Sequence, residues 1–356
     1  MSVVTARAEA FCTRFNLRAP ILLAPMAGAC PPSLSIAVAN AGGLGACGVL
    51  LMQPQEILAW AETVRTQSTG VYQLNNWIPD PPPQRDADQE ARVRAFLASW
   101  GPAVPPEAGD AAPPVFADQC RAMLEARPPI VSSVMGLFPS AFVQDIKRAG
   151  ITWFANVSTV AEARAAAEAG ADVIVAQGAE AGGHRGCFDA ALAERQLVGL
   201  FSLLPAIVDA VRLPVVATGG IADGRGVAAA LALGASAAQI GSGFLRCPES
   251  KIPAAWADAL ARTMPEDTMV SRVFSGRPGR SIATSYAHAA TAPDAPPPAP
   301  YPVQRGLTAA MRSAAQKEND IERMQAWAGQ SSALARAEPA AAVFQRVWDE
   351  ALALLG

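Results

Sequence analysis

One of only two histidines in 356 residues, His184, lies in the stretch DVIVAQGAEAGGHRG, residues 172–186. An imidazole with an ordinary pKa near 6.5 takes or gives a proton at neutral pH. The stretch opens with Val173-Ile174-Val175, a β-branched run of the kind that forms a buried strand. It then runs into Gln177, Glu180, the pair Gly182-Gly183, His184 and Arg185. α/β enzymes present a catalytic group in this way, on a flexible loop held by a rigid strand. The competing reading is a hydrogen-bonded, inert core histidine. Cys187, three residues on, is considered as a thiol nucleophile and ranks lower, because a sequence neighbour need not face the same cavity.

Two more glycine-rich loops follow. Thr218-Gly219-Gly220-Ile221-Ala222-Asp223-Gly224 and Gln239-Ile240-Gly241-Ser242-Gly243 each follow a short apolar run. Glycines let backbone N–H groups approach an anion, so paired loops of this kind suit a phosphate-bearing ligand. Tight turns that need positive φ are the alternative. The loops do not by themselves separate FMN from a sugar phosphate. Upstream, Pro25 and Met26 offer a flat, soft surface. Asn75 and Gln177 offer uncharged donors and acceptors that suit a flavin's uracil edge or ribityl chain, or equally a turn cap.

Eight strand signals place these groups, at residues 21–24, 44–48, 71–76, 130–134, 152–157, 173–175, 214–220 and 238–242. Helical segments alternate with them, at 33–41, 54–66, 159–170 and 224–234. The 159–170 helix has a Thr cap with a Glu three residues on. Apolar strands alternating with helices indicate a TIM (β/α)₈ barrel rather than an open sheet. Pro-rich segments at 79–83 and 101–114 flank a helix at 89–100, giving a long loop after the third strand. A further hundred residues separate the eighth strand from a closing helix at 340–355. That insertion is expected to hold helices at 253–264 and 308–327, an extended 268–274 and a basic turn at 275–280. The expected domains are therefore a barrel, residues 1–245 and 335–356, and a small lobe over its mouth, residues 246–334.

Composition narrows the function. The chain is 51% hydrophobic, 17% charged and carries a net charge of −3, enough apolar content for a large core. No basic stripe indicates nucleic acid. No apolar run reaches the roughly 18 residues of a membrane span, and the start lacks a signal-peptide core, so a cytoplasmic enzyme is expected. The six cysteines are dispersed, with no C-x-x-C pair; reduced thiols and no metal site are expected.

The motifs PILLAPMAGA (20–29), LNNWIPDPPP (74–83), AQGAEAGGHRG (176–186), ATGGIADGRG (217–226) and QIGSGFLRCPES (239–250) resemble the nitronate monooxygenase family, as do YPVQ (301–304) and WAGQ (327–330). The resemblance spans about residues 15–348. It implies an FMN-containing barrel with a small second domain that oxidises alkyl nitronates with O₂ to a carbonyl compound and nitrite, as a monomer or homodimer. The family's catalytic histidine falls on His184, as general base or as anchor of the nitro group. Its cofactor contacts fall on Asn75, Gln177, Gly182, Gly220, Gln239, Ile240, Gly241 and Ser242, and Gln330 matches a late family segment near the flavin; the residues themselves add Pro25, Met26, Gly183 and Gly219 to the expected cofactor set. Ser242-Gly243 replaces the more usual Thr-Arg or Thr-Ala, keeping the hydroxyl, and Asn76 stands where an apolar residue is more usual. An FMN-dependent enoyl-acyl-carrier-protein reductase using NAD(P)H shares the EAGGH loop and is the alternative. A flavin-binding barrel without turnover is the third reading. His288 is expected to be a surface or structural residue, and Arg277 and Arg280 are expected to face solvent.

Overall fold

In the computed structural model, which describes residues 3–356, eight parallel strands close into a barrel. They are β1 (Ile21–Leu23), β2 (Leu44–Gly48), β3 (Val71–Trp77), β4 (Ile130–Val134), β5 (Thr152–Val157), β6 (Val173–Gln177), β8 (Val215–Thr218) and β9 (Ala237–Ile240). β9 pairs back onto β1, with Leu22 opposite Gln239, which completes the ring. Each strand falls within a residue or two of its expected place. β-Branched and small apolar residues fit strands buried on both sides, and the core residues of β1, β6 and β8 are indeed inaccessible.

A first helix, Val3–Phe15, was not expected, because its mixture of Ala, Arg and Glu carries no strong apolar stripe. It sends Phe11 and Phe15 against Leu22, Phe154, Val173 and Val216, filling one end of the barrel. The final helix, Ala340–Leu355, packs beside the helices Gly224–Ala232 and Pro32–Asn40 and closes the outer ring. The expected helix after β5 runs from Val160 to Glu168, and Thr159 Oγ1 accepts its cap bond from Glu162 N. Glu162 does not return the bond as a capping box would. Its carboxylate accepts instead from Ser158 N and Phe188 N, at 2.6 and 2.7 Å, and so braces the loop after β6.

The segment 246–334 departs most from expectation. Its centre is an antiparallel pair, β10 (Thr268–Ser271) and β11 (Gly279–Ile282), to which the barrel's own loop adds a third strand, β7 (Gly183–His184). In place of the expected helix 308–327 the chain has a short helix before it, Val303–Leu307, then a second, Ala309–Glu318, a 3₁₀ turn, Ile321–Arg323, and a non-helical run from Met324. The break comes at Asn319, which caps the second piece in the left-handed conformation, φ 55°. The helix Ala87–Leu97 after β3 joins this segment, since Val93 and Leu97 pack with Phe274, Tyr286 and Leu307. No helix among the described residues is long and apolar enough to cross a membrane.

Candidate active site

The cleft at the barrel mouth is built from the ends of the strands. Its cavity has a volume of about 210 Å³ and opens to solvent at the mouth. Pro25 and Met26 line it after β1, Asn75 at β3 and Gln177 at β6. Gly182, Gly183 and His184 enter from β7, Gly219 and Gly220 after β8, and Gln239, Gly241 and Ser242 after β9. Ile240 and Gln330 are not brought to the cleft. The Ile240 side chain belongs to the barrel core, and Gln330 turns its amide to Pro265 O at 3.4 Å.

The loop after β8 suits an anion. Gly219 and Gly220 have φ of 111° and 70°, conformations that favour glycine, and neither N–H donates to a backbone acceptor. Ser242 Oγ accepts from Gly329 N at 2.9 Å, which leaves its own proton free to donate. Ser331 Oγ donates to Gly220 O at 2.6 Å. The run around Trp327 thus ties both phosphate-type loops to the β10–β11 sheet. A Cβ on Gly182 would lie 2.5 Å from Gly329 N, so only glycine permits this crossing.

The amides divide into two kinds. Gln177 shapes the loop: its Nε2 donates to His184 O at 3.2 Å and its Oε1 accepts from Gly186 N at 2.7 Å, with one N–H and one lone pair left uncommitted. Asn75 Nδ2 donates to Ser132 Oγ at 2.9 Å. Asn156, which the sequence reading passed over, lines the cleft with a buried, unpartnered Oδ1. Asn76 points away from the cleft, donating to Gln119 Oε1 at 3.1 Å, while Gln119 gathers the carbonyls of Val49, Leu50 and Met52. An amide thus replaces an apolar residue there without an orphaned group. Unpaired loop N–H groups, an orphaned amide oxygen and a flat wall at Pro25 and Met26 fit a planar ring with a phosphate tail.

His184 is caged. Its ring centroid lies 4.7 Å from that of Trp77 and 4.8 Å from that of Trp327, and Tyr301 stacks on Trp77 at 4.6 Å. Nε2 sits 2.8 Å from Ser275 Oγ, whereas Nδ1 has no protein partner. Burial, and then the cations Arg277, Arg305 and Arg312, push the imidazole pKa down from 6.5 to about 3. The expectation of a group titrating near neutrality is not met: the ring is neutral at pH 7. Trp77, Ser275 and Tyr301 fall in stretches noted in the sequence but had no role assigned there, because they come together only through tertiary pairing.

The arginines expected at the surface are buried. Arg277 is 1% exposed, paired with Asp80, bonded to Cys187 O at 2.6 Å and lying over Trp77. Arg280, 8% exposed, donates to Ala179 O and Thr268 Oγ1. Arg185 makes no ion pair with Glu180; it donates to Gly178 O at 2.6 Å. Guanidinium forks that satisfy backbone carbonyls account for their burial. Cys187 is buried, bonded to Gln196 Oε1, and burial raises its thiol pKa to about 11, which leaves no thiolate nucleophile. His288 is exposed on the helix Ser285–Ala290. Among the described residues no group of three or more His, Cys, Asp or Glu is placed to hold a metal.

A closed parallel barrel with such a cleft at its strand ends is a TIM barrel with its candidate site on the C-terminal face, where enzymes of this fold carry theirs. The nitronate monooxygenase family model matches residues 9–348. The nitronate monooxygenase of Paraburkholderia phytofirmans is 39% identical over 90% of this chain and 89% of its own length. A probable nitronate monooxygenase of Staphylococcus aureus is 32% identical over 93% and 94%. Among solved structures, nitroalkane oxidase from Streptomyces ansochromogenes superposes with a TM-score of 0.86 at 33% identity, covering 98% of this chain and 100% of that one. FabK from Thermotoga maritima gives 0.76 at 26% identity, with 97% and 96% covered. The chain belongs to the nitronate monooxygenase family, and it is an oxidoreductase.

Proposed function

We propose that this enzyme oxidises alkyl nitronates with O₂ to a carbonyl compound and nitrite, with FMN held in the cleft. The carrying observation is His184: a neutral imidazole between two indoles, one nitrogen free toward the cleft, in the field of three arginines. FMN when bound supplies the redox chemistry, from electron acceptance to the reaction with O₂. Gly219, Gly220, Gly241 and Ser242 would hold its phosphate, and Asn75, Gln239 and Asn156 its polar edges.

A base whose conjugate acid has a pKa of about 3 is weak at pH 7. It gives little help in removing the α-proton of a neutral nitroalkane. A substrate that arrives already deprotonated needs no such help, and a positive field favours it. His184 therefore acts as the anchor of the nitronate's oxygens, and the indole cage shields the site from water. The test is O₂ uptake and nitrite release by the purified yellow protein with ethyl nitronate and, separately, with nitroethane. The nitronate should turn over much faster. Equal rates would restore the general-base role, and no turnover of either would end the proposal.

A further inference from the structure

His184 is fixed by one side chain, and that side chain has a choice. Ser275 Oγ lies 2.8 Å from His184 Nε2, 3.2 Å from Arg277 O and 3.4 Å from Arg277 N. Ser275 is 1% exposed, so no bulk water competes for it. A hydroxyl carries one proton, and its oxygen accepts at the same time. The proton can point to the Arg277 carbonyl or to Nε2, while Arg277 N–H faces the oxygen in both cases.

Each orientation dictates a different imidazole. With the hydroxyl on Arg277 O, Nε2 must carry the ring proton and donate to Oγ, so Nδ1 presents a lone pair to the cleft. With the hydroxyl on Nε2, the ring proton sits on Nδ1 and points into the cleft as a donor. One ring proton and one hydroxyl proton are present in both states: Nδ1 takes a proton from cleft water, and the Nε2 proton returns to that water in a transient opening of the Ser275 contact. No other donor reaches Arg277 O, which favours the first state in the absence of ligand.

We propose that Ser275 is a positioning residue that lets the His184 tautomer follow the charge of the ligand, with Nε2–H at rest and Nδ1–H when an anion occupies the cleft. A lone pair facing an anionic oxygen repels it, and an N–H attracts it. With serine at position 275, the buried Nε2 has a partner in either tautomer, so the exchange creates no orphan on the ring. The identity of that anion as a nitronate rests on the function proposed above; the tautomer exchange does not.

Nitrogen-15 NMR of the flavin-loaded protein tests this directly, since only His184 and His288 contribute imidazole signals and H288N assigns them. At pH 7 without added anion, Nδ1 of His184 should show a pyridine-type shift and Nε2 a pyrrole-type shift. Sodium nitrate, a planar and redox-inert anion, should exchange the two at the concentration that inhibits nitronate turnover. In S275A the exchange should fail and KM for nitronate should rise about 10-fold, the size expected of one unpartnered buried nitrogen, with kcat changed less. S275T should recover both, and S275C, a poor donor, should resemble S275A. If S275A loses flavin or folds poorly, the wild-type spectra still decide. The same tautomer with and without nitrate, no effect of nitrate at all, or an S275A enzyme with wild-type KM and exchange would overturn the proposal. Exchange by nitrate in a protein that never turns over nitronate would refute the substrate and leave Ser275 in its role.

Discussion

Gly279 stands opposite His184 in the antiparallel pairing of β11 with β7. The loop that leaves the sixth barrel strand is therefore also the edge of a second sheet, and the imidazole is set by both. Trp327 lies along the same side of β11, bridging to Ser281, and completes the cage. The 246–334 segment contributes Trp256, Trp327, Gly329 and Ser331 to the lining of the candidate cleft.

Gly279 tolerates no side chain, because a Cβ would lie 2.8 Å from the Trp327 ring. G279A should push that indole toward His184 and destabilise the protein by about 1–3 kcal/mol, the usual cost of overpacking, with a loss of turnover. Denaturant midpoints and nitronate turnover check this; unchanged values for both would show that the cage has slack.

Gln177 shapes the loop through His184 O and Gly186 N. Q177L keeps the volume and strands both partners, at roughly 1–3 kcal/mol for each orphaned group. Urea unfolding should show the loss even in protein stripped of flavin. A loss seen only in the loaded enzyme would mean that Gln177 acts through the cofactor alone.

After burial itself, Arg277 is the largest cause of the low His184 pKa. R277M removes that cation, so the imidazole pKa should rise from about 3 toward 6.5, read by NMR titration. Asp80 loses its partner in the same variant, and some stability should go with it. An unmoved titration would assign the shift to burial and the remaining arginines.

Acid should weaken the fold through His184. Its folded pKa of about 3 lies below the unfolded 6.5, so between these values the unfolded chain binds a proton that the folded chain does not. The stability is fully present above pH 6.5 and falls as the pH drops toward 3. The ring is partly open to the cleft, so a bound ligand offsets part of this. The fall in melting temperature from pH 7 to pH 5 should be smaller in H184N than in wild type; an equal fall would place the acid sensitivity elsewhere.

The barrel was legible because a buried parallel strand writes itself as a local run, as in Val173-Ile174-Val175. The glycine loops were legible for the same reason: their chemistry is contiguous. What surrounds His184 is not contiguous. Trp77, Ser275, Tyr301 and Trp327 come from four places in the chain and meet only after β11 pairs with β7. Arg277 and Arg280 read as solvent-facing because charge usually is; their burial depends on carbonyls that sequence does not announce. The pKa of His184 was missed for the same reason, since it reflects the enclosure and three distant cations.

In the proposed function a nitronate, rather than a nicotinamide, reduces the flavin. Anaerobic titration of the purified protein, followed by its visible absorbance, tests it most directly. Ethyl nitronate should bleach the flavin, and neither NADPH nor NADH should. Bleaching by NADPH with no response to nitronate would contradict it.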